Sequence, residues 1–213
     1  AVSVPTFAQV APSQTPTPMW IWAEKEFPTP DTVFFRHAFR LPQKPFSARL
    51  LIVGDDLFKA YLNEDRKPIG TGNDWTTAQE FDVTRFLKAG KNLLAVEVTN
   101  TAGAAGLLYR LTVVLPNGKT LVYVSNKAVL VERRPPPVWL EIGFDDKDWL
   151  PAREIAPVNG GVWGTLRTNP QSDPSRIVRI WNPLSSSAPK ENPYTVARTI
   201  GDRMLLTTSV ASK

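Results

Sequence analysis

The stretch Gly72-Asn73-Asp74-Trp75 combines the side chains that hold a sugar. A tryptophan face stacks on the C–H groups of a sugar ring, and neighbouring Asn and Asp take the hydroxyls in bidentate hydrogen bonds. Asn100, at the end of an apolar run, joins Asn73, Asp74 and Trp75 as a candidate contact by pattern. The competing reading makes each of the seven tryptophans a core residue or a lid over the core. That reading is favoured for Trp20, Trp22 and Trp149, whereas Trp75 falls on an expected loop. Trp181 is a candidate partner anchor, with Arg176, Arg179 and Tyr194 around it, because interface hot spots favour Trp, Tyr and Arg.

Carboxylates offer a second kind of chemistry. Asp55 and Asp56 are candidate ligands for a structural calcium ion, since hard cations want several oxygens. An Asp after Gly54 at a strand end more readily caps its own turn, and this is the favoured reading. The run Asp145-Asp146-Lys147-Asp148 offers three carboxylates, but only locally. Glycoside hydrolysis needs two carboxylates roughly 5–9 Å apart across a cleft. Adjacent residues of a strand point to opposite faces, so Asp55 and Asp56 do not make such a pair. His37, the one histidine, lies in an alternating strand with no Gly-x-Ser-x-Gly elbow in the chain, which reads as a structural histidine. Gly70-Thr71-Gly72 lacks the following helix that phosphate cradling needs. The chain reads as a non-enzyme.

The elements that must position these residues are strands. Apolar or alternating runs cover 33–41, 48–53, 58–62, 93–100, 107–115 and 120–124, separated by Gly, Pro, Asn and Asp clusters. Pro116-Asn117-Gly118-Lys119 between two apolar runs predicts a hairpin. Asp82 is placed to cap one short helical turn. Short strands at this spacing, with no helix-length periodic segment, predict an all-β sandwich or barrel.

Composition narrows the rest. The chain has 213 residues, 20 prolines and no cysteine, which removes disulfides, zinc ribbons and thiol catalysis. The net charge is +5, and from Leu166 onward seven Lys/Arg face three acids, so most of the excess sits in the tail. No dense basic stripe with interleaved aromatics points to nucleic acid. No apolar run is long enough to span a membrane. Residues 1–18, small and apolar and then Pro/Thr/Ser-rich, fit a mature terminus or the last part of a signal peptide, and predict export to the periplasm or beyond.

A family resemblance rests on motifs in order: Trp20-Ile21-Trp22; Phe35-Arg36-His37-Ala38-Phe39; Ala48 to Asp56; Ala60-Tyr61-Leu62-Asn63; Phe81-Asp82-Val83-Thr84; Leu87 to Val96; Gly106-Leu107-Leu108-Tyr109; Phe144 to Trp149; and Val162-Trp163-Gly164. Over residues 19–165 the chain resembles the galactose-binding-like accessory domains beside bacterial glycoside hydrolases, notably the N-terminal modules of α-L-rhamnosidases. Similar domains occur in large secreted proteins of planctomycete-type bacteria. The resemblance implies a jelly-roll β-sandwich of about eight or nine strands, often sugar-binding and not catalytic. It also places 145–148 in a turn whose neighbours Phe144 and Trp149 pack on the core. One departure stands out: the turn after Tyr61-Leu62-Asn63 usually carries Gly, and here Glu64-Asp65-Arg66 stand there.

The expected organisation is a Pro/Thr/Ser-rich segment 1–18, a sandwich 19–165 and an extended basic tail 166–213. The expected function is a carbohydrate-binding module. The alternative is an accessory structural subunit of a periplasmic or membrane-associated complex, clamped by its extended termini, with a glycan or an envelope protein as partner.

Overall fold

The computed structural model describes residues 15–168 and the backbone of 197–200 and 203–206. The alternating runs form the long strands: β2 (Asp31–Leu41), β3 (Ser47–Asp55), β4 (Leu57–Leu62), β7 (Gly90–Asn100), β8 (Gly106–Val114) and β9 (Thr120–Val124). The predicted hairpin pairs Val114 with Thr120 and Arg110 with Val124, and Gly118 takes the positive φ of 80° that its turn requires.

Shorter strands complete two sheets. They are β1 (Met19–Trp22), β5 (Gly70–Gly72), β6 (Thr77–Asp82), β10 (Leu130–Glu132), β11 (Leu150–Pro151), β12 (Arg153–Pro157) and β13 (Arg167–Thr168). The first sheet runs β12-β1-β8-β3-β6-β13, with β9 also on β8; the second runs β11-β10-β2-β7-β4-β5. All pairings are antiparallel except β13 with β6. The strands exceed the expected eight or nine because pieces of two to six residues were added at the sheet margins. Arg167 and Thr168, assigned to the tail from sequence, pair with Thr77 and Ala78, and Leu166 is buried against the sandwich. A separate hairpin of β14 (Ala197–Ile200) and β15 (Arg203–Leu206) lies further along the chain.

Between the sheets, residues two apart along each strand point inward and are buried: Val33, Phe35 and Phe39 of β2, Leu50 and Ile52 of β3, Val96 and Val98 of β7, Leu107, Tyr109 and Leu111 of β8. Burial of this apolar area is the main stabilising term, at about 25 cal/mol per Å².

Both outer faces are also covered. On the first sheet Trp20 stacks on Trp163 at 4.3 Å and 13°, beside Leu51, Val53, Leu108 and Leu166. On the second sheet Tyr61, Leu93 and Ala95 lie under Trp139 and Trp149, with Phe144 packed alongside, as the resemblance implied for Phe144 and Trp149.

Arg36 fastens this second cover. It is 1% exposed, and its Nε donates to Asp146 Oδ2 at 2.8 Å. Its other nitrogens donate to the carbonyls of Trp139 and Glu141. Its guanidinium lies 5.1 Å from the Phe144 ring centre and 5.8 Å from that of Trp149.

Candidate functional site

Register places four connections at one end of the sandwich. β3 ends at Asp55 beside Gly106, β7 ends at Asn100 beside Asp31, and Phe58 faces Gly72. Turns 23–30, 55–56, 73–76 and 101–105 therefore share a rim. The residues singled out from sequence, Asp55, Asp56, Asn73, Asp74, Trp75 and Asn100, all belong to this end.

Within it, Asn73, Asp74 and Trp75 form an exposed turn between β5 and β6. Trp75 is 37% exposed, far above the other described tryptophans, which are all buried. Asp74 Oδ1 accepts the Thr76 N–H at 2.9 Å and the Thr76 hydroxyl at 2.6 Å. The Asp74 carbonyl accepts the Thr77 N–H. These bonds brace the turn, and the hydroxyls of Thr76 and Thr77 hold the Asp74 carboxyl below its usual range. A Cβ on Gly72 would meet the Phe58 ring, so glycine is what lets β5 lie this close to β4.

Asn100 is separated from that turn. It is fully buried, and its Nδ2 donates to the carbonyls of Pro28 and Gly103 at 3.4 Å each. Strand β4 stands between β7 and β5. Asn100 therefore ties turn 23–30 to turn 101–105 and offers no surface contact beside Trp75.

Contrary to the expectation from sequence, the two adjacent aspartates neither point to opposite faces nor cap their own turn: their carboxyls interact with each other, and each has a further, distant partner. Asp55 is buried, and its Oδ2 accepts the indole N–H of Trp163 at 2.7 Å. Burial pushes its carboxyl up to about 7, against the lowering effect of that bond. Asp56 Oδ2 accepts the Thr101 N–H at 2.8 Å and also the Thr101 hydroxyl. The bonds from Thr101 hold the Asp56 carboxyl below its usual value, outweighing partial burial. Among the described residues no three His, Cys, Asp or Glu side chains group as metal ligands, at Asp55 and Asp56 or elsewhere. Asp145 pairs with Lys147 at 3.1 Å and Asp146 with Arg36.

The same end holds a network that the sequence did not suggest. Arg133 forks onto both oxygens of Asp31 at 3.0–3.1 Å and reaches Glu24 at 2.6 Å, beside a depression of about 160 Å³ lined in part by Val131 and Leu150. His37 faces inward from β2, where its Nδ1 meets the Tyr109 hydroxyl at 2.6 Å. Burial lowers its pKa to about 4, so the ring is neutral near pH 7. Tail residues Arg176, Arg179, Trp181 and Tyr194 lie outside the described residues, as do 1–14.

No protein-family model matches the chain, and no curated protein matches it. Solved structures do. An α-L-rhamnosidase from Streptomyces avermitilis complexed with L-rhamnose matches 76% of this chain at 25% identity and a TM-score of 0.66, over 17% of its own length. A lectin from Pleurotus ostreatus in complex with GalNAc matches 78% at 23% identity and a TM-score of 0.67, over 51% of its length. An α-L-rhamnosidase from Dictyoglumus thermophilum matches 71% at 19% identity and a TM-score of 0.60, over 22% of its length. This chain thus spans about half of the lectin and about a fifth of each rhamnosidase. Its fold is an all-β sandwich like the one carried within these rhamnosidase chains and in the lectin, in agreement with a galactose-binding-like accessory domain.

Proposed function

We propose that the chain is an exported, non-catalytic carbohydrate-binding module that holds its sugar on the turn Asn73-Asp74-Trp75. The observation that carries this is Trp75, 37% exposed on a turn braced by Asp74 and Thr76, with Asn73 and Asp74 exposed beside it. A partly open indole gives a stacking face, and the flanking amide and carboxylate give hydroxyl partners. The likeness to a lectin and to part of rhamnosidase chains supports the same reading. A non-catalytic role fits the rim acids, since Asp55 is held by Trp163 and Asp56 by Thr101. Isothermal titration with L-rhamnose, galactose, GalNAc and oligosaccharides tests the proposal. Saturable heat that disappears in Trp75→Ala supports it, and silence across the whole panel rejects it.

One observation favours the second reading, an accessory subunit of a periplasmic or membrane-associated complex. Strands β14 and β15 pair only with each other among the described strands. An isolated two-stranded hairpin is marginal in water, so a partner that buries it would fix it. Co-purification of the full chain with envelope proteins in fixed stoichiometry supports this reading; recovery as a free monomer rejects it.

A further inference from the structure

The end of the sandwich opposite the rim is basic. There, turns 42–46, 83–89 and 115–119 meet the paired residues Arg40 and Lys91. With turn 63–69 they present Arg40, Lys44, Arg66, Lys67, Arg85, Lys88, Lys91 and Lys119 against Glu64, Asp65 and Asp82, all exposed, so this end is basic. Two open depressions lie on this end. One, of about 560 Å³, is lined by Lys44, Asp82, Thr84 and Arg85; the other, of about 430 Å³, by Ala38, Phe39, Arg40 and Lys91.

Beside the first stands Phe46. Its N–H is fixed to the Val114 carbonyl at 2.8 Å, yet the residue is 74% exposed. A large aromatic ring held out in water by an anchored backbone gains nothing within this fold. The rim at the far end carries Glu24, Glu26, Asp31, Asp56, Asp74 and Glu132 against Lys25, Arg133, Arg134, Arg153 and Arg167, so its charges nearly cancel and the basic excess lies at the Lys44 end.

We propose that the Lys44 end docks on an anionic lipid bilayer, with Phe46 entering the interfacial layer. Basic side chains near a negative lipid surface are attracted within a Debye length, and apolar side chains such as Phe bury at the boundary of headgroups and acyl chains. A soluble polyanion would use the charges but leave Phe46 in water, so the exposed ring favours the bilayer. In this orientation the rim with Trp75 faces away from the lipid, and the proposal stands whether or not that rim binds sugar.

The test uses the full chain, sedimented with phosphatidylcholine vesicles containing phosphatidylglycerol and with phosphatidylcholine vesicles alone. The expected result is binding to the anionic vesicles only, weakened by added salt. Each basic charge removed should lower partitioning about fivefold, so Lys44→Gln with Arg85→Gln should lower it about 25-fold. Phe46→Ser should also weaken vesicle binding while leaving retention on a heparin column unchanged. All three changed residues are exposed, and an unchanged unfolding midpoint confirms that the variants fold. Equal binding to both vesicle types, or to neither, overturns the proposal. So does binding that survives the double variant, which would put the attraction in the tail. Full vesicle binding by Phe46→Ser would reduce the surface to a polyanion site and overturn it as well.

Discussion

Trp163 donates its indole N–H to Asp55 Oδ2 over 2.7 Å, joining residues 108 positions apart. The bond locks the outer cover of the first sheet to the rim, because the same indole stacks on Trp20 at 4.3 Å. Gly106 makes room for the pair: a Cβ there would come within 2.7 Å of Trp20 and 3.0 Å of Trp163. The carboxylate is buried with its pKa raised to about 7, so this contact is sensitive to pH.

Asp55 and His37 should pull stability in opposite directions with pH. Asp55 has a folded pKa of about 7 against an ordinary value of 3.8. Its stabilising contribution is complete below about 3.8 and is lost as pH rises through about 7. His37 has a folded pKa of about 4 against 6.5. Its contribution is complete above about 6.5 and is lost as pH falls through about 4. Between these limits each group contributes a slope of at most about 1.4 kcal/mol per pH unit, and the two oppose each other. Thermal unfolding of Asp55→Asn from pH 4.5 to 6.5 (about the middle of the window) should show stability rising with pH, and His37→Gln should show it falling. Parallel curves for the two variants would contradict this assignment.

Arg36→Met should cost about 2–4 kcal/mol, because it leaves the Trp139 and Glu141 carbonyls and the Asp146 carboxylate without their donor. Asp146→Asn keeps an acceptor at a partly exposed position and should cost about 1 kcal/mol or less. Denaturant unfolding gives both values. Hydrogen exchange should show the Arg36→Met loss concentrated between residues 133 and 149.

Glu64, in the turn where Gly was expected and Glu64-Asp65-Arg66 stand, occupies the left-handed region at φ 68°. Its Oε1 accepts the Ile142 N–H at 3.1 Å, linking the 63–69 turn to the cover. Glu64→Gly should relieve about 1 kcal/mol of backbone strain and lose a bond of similar size, leaving net stability nearly unchanged. The Ile142 amide should exchange faster in the variant, which separates compensation from indifference.

Trp75→Ala should abolish detectable sugar binding or weaken it at least about tenfold, while shifting stability by no more than about 0.5 kcal/mol at this partly exposed site. Asp74→Ala should lower both, since it removes the two bonds to Thr76 at a cost of about 1 kcal/mol. Calorimetry and thermal unfolding on the same samples tell the two effects apart.

The long strands were legible because alternation over five or more residues has one physical meaning, a half-buried pleat. Asp82 was read one residue early as a cap: Val83 holds the N-cap position of the short helical turn Thr84–Phe86 without a side-chain bond, and Asp82 instead closes a turn just before it, accepting the Thr84 N–H at 3.0 Å and the Thr84 hydroxyl at 2.6 Å. Strands β10, β11 and β13 were not legible, since two or three residues carry no period and their pairing is set by distant partners. Asn100 shows the limit at the rim. Its polarity and place at a strand end suggested a surface contact, but the carbonyls of Pro28 and Gly103 that claim it lie on loops whose approach no local pattern encodes. Trp163 illustrates the same limit. Its aromatic character was visible, and its role as the donor to Asp55 depends on how the chain returns across the first sheet.

The parallel pairing of β13 with β6 has a mechanical consequence. The Arg167 N–H donates to the Thr76 carbonyl at 2.7 Å, so the described body ends at Thr168 against the turn that carries Asp74 and Trp75. Tension applied at Thr168 acts on this short two-residue strand. Peeling it away would strip the main-chain support from Thr76 before any long strand bears load, which makes this turn the first part of the sandwich to yield to a pull applied at Thr168.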